Sequence, residues 1–390
     1  MNYILFDGIE RNKLLPLTYT RPVADIRIGI LTIKEKWEKL LNTSVSFNTQ
    51  EYLSKKYPTV ISHENVLING SILPTIELVN QINGLSVNQI LKKGDIEIAF
   101  RTNGDSISIT DSSNYHIVET QLEFLRIENT WDIFKHNPQA IIDDFSLLTT
   151  DRATSKISDT NSIIGDPANI FIEKGAIVEF AYLNTSDGPI YIGKDSEIME
   201  GSKIRGPFAL CEHATIKMDA KIYSGTTIGP YSKVGGEVSN SVILGYSNKG
   251  HDGFLGNSVI GEWCNLGADT NTSNLKNTYD FVRLWSYDVN TFVSTGLQFC
   301  GLIMGDHSKS GINTMFNTGT VVGVSSNIYG SGFQRNFVSS FLWGGTHGLK
   351  TYNFKKSVEV AKAVYKRRGM EFDEIEEEIF SAIFKLTHES

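Results

Sequence analysis

The chain contains 390 residues, of which 40% are hydrophobic and 21% charged, and its net charge is −8. This composition is typical of a globular protein with two or three domains, and the acidic balance argues against a nucleic-acid partner. No apolar run reaches 18 residues, so no membrane span is predicted. The N-terminal apolar run ends at Asp7 without a basic leader, and the three cysteines lack metal-like spacing. We therefore expect a cytoplasmic protein with buried thiols.

Residues 1–150 predict an α/β domain, because short apolar runs alternate with stretches of helical spacing. A proline opens one predicted helix and a glycine ends it, which is the usual asymmetry of helix termini. The last two predicted strands pair across the turn residues Asn103-Gly104. The predicted elements are strands at 3–6, 66–68, 96–100 and 106–110, and helices at 31–41 and 74–84.

From Ile192 an aliphatic residue recurs every six residues without a miss. The eight residues of this ladder are Ile192, Ile198, Ile204, Leu210, Ile216, Ile222, Ile228 and Val234. A period of six fits neither a helix nor an isolated strand, so it indicates a repeat unit. Short strands that stack as coils of a β-helix explain it, with each aliphatic side chain pointing inward. Two weaker rungs, Ile172 and Val178, precede a loop at 184–189.

The period is interrupted twice after Val234. It is lost over 235–253 and again over 271–288, and we predict that the second interruption is a loop projecting from the solenoid. Three hexads make one coil, so residues 151–350 hold on the order of ten coils. Residues 351–390 form a helical tail, because apolar positions from Phe354 onward share one helical face. The rungs after Val234 are Phe254, Ile260 and Leu266, then Phe292, Met304, Phe316, Val322 and Ile328, with Gln298 and Ser310 in two gaps.

Three motifs point to a known family: KVGGEV at 233–238, SNKGHDGFLG at 247–256 and IGEWCNLGADTNTSN at 260–274. They resemble the bifunctional glucosamine-1-phosphate N-acetyltransferase/N-acetylglucosamine-1-phosphate uridyltransferase family. Residues 15–37 and Trp-Gly-Gly at 343–345 indicate a divergent bacterial branch. The resemblance implies a nucleotidyltransferase-like α/β domain, a left-handed parallel β-helix of hexapeptide repeats and C-terminal helices. It also implies a homotrimer with acetyl-CoA bound between subunits.

The resemblance assigns His251 as the general base of acetyl transfer, and imidazole suits that role because its pKa lies near neutrality. Two asparagines match residues that contact the amino sugar, and four positions match or lie near the acetyl-CoA groove. The family's two tyrosines and two sugar-phosphate cations are replaced here by Phe254, Leu275, Tyr223 and Ser239. Arg205, with Lys217 and Lys221, is the predicted replacement for those cations. The other assigned residues are Asn265 and Asn274 for substrate, and Ala268, Thr295, Arg335 and Lys350 for cofactor.

Nucleotidyl transfer is the second activity that the resemblance implies. Such transfer needs phosphate charge to be neutralised and Mg²⁺ to bridge phosphates. The sequence keeps Thr20-Arg21 of the family's glycine-rich loop but lacks its glycines. Arg21, Arg27 and Lys36 are the predicted nucleotide-binding cations. The metal ligands stay unassigned, with Asp7, Asp25 and Asp144 as candidates.

These observations predict an enzyme of nucleotide-sugar biosynthesis of the UDP-N-acetylglucosamine type. Acetyl-CoA is its donor, an amino-sugar phosphate or nucleotide sugar its substrate, and a nucleoside triphosphate with Mg²⁺ a further requirement if the first domain is active. Two alternatives stay open. The first domain could only bind ligand or regulate, or the solenoid could be non-catalytic. A zinc enzyme on the same fold is disfavoured, because the two nearest histidines, His116 and His136, are far apart in sequence.

Overall fold

The computed structural model describes residues 1–104 and 115–388 and divides the chain into two compact units. The predicted strand at 106–110 lies outside the described residues. Within them, no helix is both long and apolar enough to span a membrane. The α/β unit comprises Met1–Leu14, Thr20–Ile26 and Leu31–Asn129, and the solenoid unit comprises Leu15–Tyr19, Arg27–Ile30 and Thr130–Ser390.

The α/β unit is a mixed six-stranded sheet in the order β2-β1-β3-β5-β4-β6. Its strands are β1 Asn2–Phe6, β2 Ser46–Asn48, β3 Glu64–Asn69, β4 Gln89–Lys93, β5 Ile96–Asn103 and β6 His116–Glu119. Its helices are α1 Glu10–Lys13, α2 Ile33–Leu41 and α3 Ile76–Asn83. Helix α2 begins at a capping box in which Thr32 and Glu35 satisfy each other's backbone N–H groups. The predicted strands and helices of this region within the described residues are confirmed.

The solenoid has three faces, each a sheet of parallel strands apart from the last strand of the third face, which is antiparallel to its neighbour, and successive strands of a coil lie on successive faces. The first face contains β7 Ser162–Ile164, β10 Tyr182–Asn184, β13 Lys203–Arg205, β16 Lys221–Ile222, β19 Glu237–Ser239 and β22 Phe254–Gly256, followed by the pair β25 Asn271–Thr272 and β30 Met315–Phe316. The second face contains β8 Ile170–Ile172, β11 Ile190–Ile192, β14 Phe208–Leu210, β17 Thr226–Ile228, β20 Val242–Gly245, β23 Val259–Glu262, β28 Leu302–Met304, β31 Thr320–Val322 and β33 Phe337–Val338. The third face contains β9 Ile177–Val178, β12 Glu197–Ile198, β15 Thr215–Ile216, β18 Lys233–Val234, β21 Asn248–Lys249, β24 Asn265–Leu266, β29 Lys309–Ser310, β32 Asn327–Ile328, β34 Leu342–Gly345 and β35 Gly348–Thr351.

The hexad ladder forms the core of this solenoid, as predicted. All eight ladder residues are at most 2% exposed, and they belong to one hydrophobic cluster that runs from Ile170 to Val338. Parallel pairing places each rung directly above the rung one coil, or 18 residues, earlier, as where Ile198 pairs with Ile216 and Ile216 with Val234. The predicted fold class is confirmed: an α/β region, a parallel β-solenoid of about ten turns and C-terminal helices.

Two parts of the predicted ladder are wrong. Leu255, not Phe254, is the inward residue of β22, because the coils after Val234 contain steps shorter than six residues. Phe292 and Gln298 lie in an insertion, where β26 Arg283–Ser286 and β27 Thr291–Ser294 form an antiparallel hairpin. The ladder therefore resumes at Met304, and the predicted projecting loop extends beyond residue 288.

Helix α4, Thr130–Thr149, was not predicted, and it clusters with the solenoid unit although the sequence placed it in the first domain. Asn137 on this helix donates to the Gly225 carbonyl at 2.8 Å and accepts from the Gly29 N–H at 2.7 Å. A Cβ at Gly29 would lie 2.4 Å from the Asp144 carboxylate, so only glycine fits there. These contacts hold segment 27–30 and α4 on the second face.

The tail forms two helices, α5 Phe354–Arg367 and α6 Glu374–His388, as the sequence predicts. Aromatic rings pack them against the turns that follow second-face strands: Trp263 stacks on Tyr365 with ring centroids 4.0 Å apart, and His307 meets Phe380 at 4.8 Å. The basic and acidic segments of the tail contact each other through Lys362 and Glu377 at 2.6 Å.

Candidate functional site

His251 lies on the turn between β21 and β22, at residues 250–253, where the chain passes from the third face to the first. We call this turn the His251 corner. The side chain of His251 is exposed, while Lys249 before it and Leu255 after it point into the core. The imidazole of His251 therefore faces solvent within the segment where the sequence period is interrupted.

Lys249 occupies an inward position in the solenoid core, since it pairs with Val234 on the same column. It is 2% exposed. Its ammonium donates to the carbonyl oxygens of His251 at 2.7 Å and Asp252 at 3.2 Å. Burial lowers the pKa of Lys249 to about 8, and the Asp252 and Asp269 carboxylates oppose that shift. The ammonium therefore fixes the backbone of the corner from inside. A search for aliphatic rungs cannot find such a residue.

Close packing on both sides also constrains the His251 corner. Gly253 has a φ of +111°, and a Cβ there would lie 2.2 Å from the Thr270 carbonyl oxygen. The Phe254 N–H donates to the Asn271 side chain at 2.8 Å, and the Asp269 N–H donates to the Asp252 carbonyl at 3.1 Å. The next corner, at residues 268–269, therefore stacks directly on the His251 corner.

The predicted amino-sugar contacts lie on the coils next to His251. Asn265 is exposed on the third face, where it pairs with Asn248, three residues before His251. Asn274 follows β25 on the first-face side, and its amide donates to the Asn257 side chain at 2.8 Å. Both assignments stay predictions. Asn265 faces solvent on the third face, whereas Asn274 is already part of an amide pair.

The predicted acetyl-CoA residues are spread over the later coils. The Ala268 carbonyl accepts the Asn313 N–H at 2.8 Å, which continues the stack of corners beyond His251. Thr295 belongs to the insertion, and its hydroxyl donates to the Val282 carbonyl at 2.9 Å. Arg335 is exposed, and the Lys350 ammonium lies 5.7 Å from the Trp343 ring centroid. Of these four residues, Ala268 is the one that the coil pairing brings next to His251.

Arg205 lies in a concavity of about 430 Å³ on the first face, over β7 to β16. Lys203 and Lys221 share this concavity with Arg205, while Lys217 does not line it. Pairing places β13 three strands from β22 in the sheet order. At a strand spacing of about 4.8 Å, that separation is about 14 Å. The structure therefore separates Arg205 from His251 by more than the width of a monosaccharide.

The predicted nucleotide-binding residues do not form one exposed group. Arg21 and Lys36 are 3% and 4% exposed within the α/β unit. Arg27 belongs to the solenoid unit, where its guanidinium donates to the Ile30 carbonyl. These three assignments stay predictions.

The three candidate metal ligands accept hydrogen bonds from other residues of the fold. Asp7 accepts hydrogen bonds from the Val23 N–H at 2.8 Å and the Thr49 hydroxyl at 2.5 Å, and burial raises its pKa. Asp25 accepts from the Tyr57 hydroxyl, and Asp144 from the Ile30 N–H. Across residues 1–104 and 115–388, no three His, Cys, Asp or Glu side chains are grouped so that they could hold a metal ion. Each of the three carboxylates is already engaged in a hydrogen bond within the fold, so we derive no step through Mg²⁺.

Comparisons with known proteins agree with the predicted resemblance. Residues 3–153 match the family model described as sugar nucleotidyl transferase. A bifunctional sugar-1-phosphate nucleotidylyltransferase/acetyltransferase of Sulfurisphaera tokodaii is 28% identical over 43% of this chain and 44% of its own length. The bifunctional protein GlmU of Methanococcus maripaludis is 27% identical over 67% of this chain and 55% of its own length. The chain resembles this bifunctional family, and it spans about half the length of these two relatives.

The solved structures that match part of the chain include the UDP-N-acetylglucosamine acyltransferase of Arabidopsis, with a TM-score of 0.28 and 15% identity. The match covers 53% of this chain and 77% of the acyltransferase.

Proposed function

We propose that the solenoid unit transfers an acetyl group from acetyl-CoA to the amine of an amino sugar, with His251 as general base. The observation that carries the proposal is the exposed imidazole on a corner that an internal lysine holds in place. The family resemblance supports the same role for His251.

The reaction needs a base because the amine nitrogen must give up a proton as it becomes an amide nitrogen. When bound, acetyl-CoA supplies the acetyl group as a thioester. His251 accepts the proton that the amine nitrogen loses as the new N–C bond forms. The C–S bond then breaks, and His251 returns the proton to the leaving sulfur. Lys249 keeps the corner in one conformation during both proton transfers, since its ammonium donates hydrogen bonds to two carbonyl groups of the corner.

The corners that stack beyond His251 suit the binding of acetyl-CoA, the acetyl donor. The corner at residues 268–269 is followed by that at 312–313, where Ile312 is 70% exposed. Tyr329, one coil further, is 45% exposed. Exposed apolar side chains in a row fit the largely apolar arm that carries a thioester. Arg335 and Lys350, on the last coils, are the proposed contacts for the phosphates of the cofactor.

The α/β unit gives a second candidate function, nucleotidyl transfer to a sugar phosphate, and the family match at residues 3–153 favours it. Arg21, Arg27 and Lys36 are its proposed phosphate contacts, with Mg²⁺ as a proposed requirement. The competing proposal is that this unit only binds a nucleotide sugar. Isothermal titration of the full chain with UTP and Mg²⁺, followed by an assay for pyrophosphate release, separates the two. Binding without pyrophosphate release supports the second.

A His251→Ala variant tests acetyl transfer. Loss of a general base lowers kcat by about 10²–10⁴-fold, and the melting temperature stays the same because the side chain is exposed. The matched control is His213→Ala, an exposed histidine at another corner of the solenoid. Acetyl-CoA consumption that survives unchanged in His251→Ala would contradict the proposed base. A homotrimer is part of the proposal, and gel filtration at the size of a single chain would contradict that part.

A further inference from the structure

The C-terminal end of helix α5 lies against the coil that carries His251. Tyr365 of this helix stacks on Trp263 with ring centroids 4.0 Å apart. Arg368, at the C-cap position of the helix, donates a hydrogen bond to the Asn248 side chain at 3.3 Å. Asn248 is three residues before His251, whereas Arg368 follows Asn248 by 120 residues. The tail therefore brings a guanidinium to the candidate site from a distant part of the sequence.

The charge of Arg368 is not balanced by a carboxylate. Its side chain is partly buried, and among the described residues no carboxylate forms an ion pair with it. Burial lowers the pKa of Arg368, the neighbouring Arg367 lowers it further, and Tyr246 opposes the shift. A guanidinium still keeps its charge at neutral pH, and it has five N–H donors, of which a neutral amide occupies one. An anionic ligand would therefore supply the counter-charge that the fold leaves out.

Asn265, the predicted amino-sugar contact, lies on the third face between the tail and the stacked corners. Two residues before it, Trp263 is covered by helix α5. Three residues after it, the corner at residues 268–269 stacks on the His251 corner. The Asn265 side chain itself is exposed. A ligand over Asn265 therefore has the tail, with Arg368, on one side and the His251 corner on the other.

The distance between these two sides fits a short acceptor. The Cα atoms of Asn248, which accepts from Arg368, and His251 are at most about 10 Å apart, because a residue extends the chain by at most about 3.6 Å. In a hexosamine 1-phosphate, four bonds join the amine nitrogen to phosphorus, which is at most about 6 Å at about 1.5 Å per bond. With a hydrogen bond of about 3 Å at each end, this molecule connects groups about 12 Å apart.

We propose that Arg368 binds the phosphate of the acceptor, so that the C-terminal tail forms part of the acetyltransferase site and selects phosphorylated amino sugars. The amine then lies at His251, the sugar hydroxyls at Asn265 and the phosphate at Arg368. The tail supplies the cation that the sequence lacks at Tyr223 and Ser239. This inference rests on the proposed acetyl transfer, because it names a specificity-determining residue of the same site.

A comparison of acceptors with and without phosphate tests this role. The acceptors are the 1-phosphates of glucosamine, galactosamine and mannosamine and the three free hexosamines, each assayed with acetyl-CoA. Arg368→Gln removes the charge but keeps an amide that can donate to Asn248. We expect the KM of the best phosphorylated acceptor to rise about 10–100-fold, because a charge-assisted hydrogen bond is lost. The kcat, the KM for acetyl-CoA and the kinetics of the free hexosamine should not change.

Two further variants separate this role from a structural one. Lys366→Gln, at an exposed cation in the last turn of the same helix, is the matched control and should change none of these constants. Arg368→Lys keeps the charge and should restore part of the preference for phosphate. Detachment of the tail would instead impair phosphorylated and free hexosamines alike. Such an equal loss, or a rise in the KM for acetyl-CoA, would overturn the inference and leave acetyl transfer in place.

Binding measurements cover the case in which the wild type acetylates no acceptor, so that the proposed acetyl transfer fails. Titration calorimetry of the full chain then uses the same three 1-phosphates and inorganic phosphate. Binding of a 1-phosphate that Arg368→Gln weakens about tenfold, with inorganic phosphate at least ten times weaker, supports the site at Arg368 without the reaction. Equal binding of inorganic phosphate, or no binding of any 1-phosphate, overturns it.

Discussion

The coils formed by β13 to β18 and those formed by β19 to β24 belong to one solenoid but differ in what occupies their core. In the first set every inward position is aliphatic and the period of six is unbroken. In the second set the steps shorten, and Lys249 replaces an aliphatic residue. The corner that follows Lys249 carries His251.

This difference shows how a repeat fold can acquire a reactive side chain. A regular coil exposes identical corners and buries one side chain per hexad, so it specifies a scaffold and no chemistry. The irregular coil places a charge in the core, which costs stability unless hydrogen bonds compensate it. Two corner carbonyls supply those bonds to Lys249. The irregularity and the candidate site therefore arise from the same residues.

The largest expected effect comes from copying the lysine into the regular region. Ile216 lies on the same inward column as Lys249, is fully buried, and is followed by a regular corner. Ile216→Lys should lower the free energy of unfolding by about 3–5 kcal/mol, because an uncompensated charge enters the core. Ile216→Val is the control, at about 1 kcal/mol. Urea unfolding measures both, and similar losses in the two variants would show that the column tolerates lysine anywhere.

The pH dependence of stability should reveal Lys249. Its pKa is about 8 in the folded chain and 10.5 in the ordinary case, so the folded state disfavours its proton. The penalty is fully present below pH 8 and is relieved as pH rises to 10.5. The free energy of unfolding therefore rises by about 3 kcal/mol over this range, because each unit of pKa difference corresponds to about 1.4 kcal/mol. Urea unfolding of wild type and Lys249→Met at pH 7.5 and 10 measures the difference. Parallel pH curves for the two proteins would contradict a depressed pKa.

Sequence periodicity was sufficient to predict the solenoid, because burial in a stacked coil selects aliphatic residues at a constant spacing. It failed where spacing changed: Phe254 was chosen over Leu255 since a fixed step of six cannot follow a shortened coil. Lys249 was missed for a related reason, as its inward direction is set by pairing with Val234 and not by hydrophobicity. The concavity was anticipated only through Arg205 and Lys221, since side chains on different coils meet only once the coils stack.

Substituting a glycine of the His251 corner should have an intermediate effect. Gly253→Ala places a Cβ 2.2 Å from the Thr270 carbonyl at a φ of +111°, so we expect a loss of about 1–3 kcal/mol. Gly250→Ala on the same corner meets no atom within 4 Å among the described residues and should change stability by less than about 0.5 kcal/mol. Thermal unfolding compares the two. Equal losses would show that the corner is not held by close packing at Gly253.

The smallest expected effect in free energy is the most informative about function. Lys249→Met keeps the volume of the side chain and removes the two hydrogen bonds to the corner, so His251 gains freedom while the core stays filled. We expect kcat for acetyl transfer to fall about tenfold, or about 1.4 kcal/mol, with the KM for acetyl-CoA unchanged. The control is Lys233→Met, at an exposed lysine that pairs with Asn248 on the neighbouring coil, and it should leave kcat unaltered. In Lys249→Ala, added propylammonium should restore part of the activity, because it fills the space and donates to the same carbonyls. Wild-type activity in Lys249→Met would separate the irregular core from the chemistry at His251.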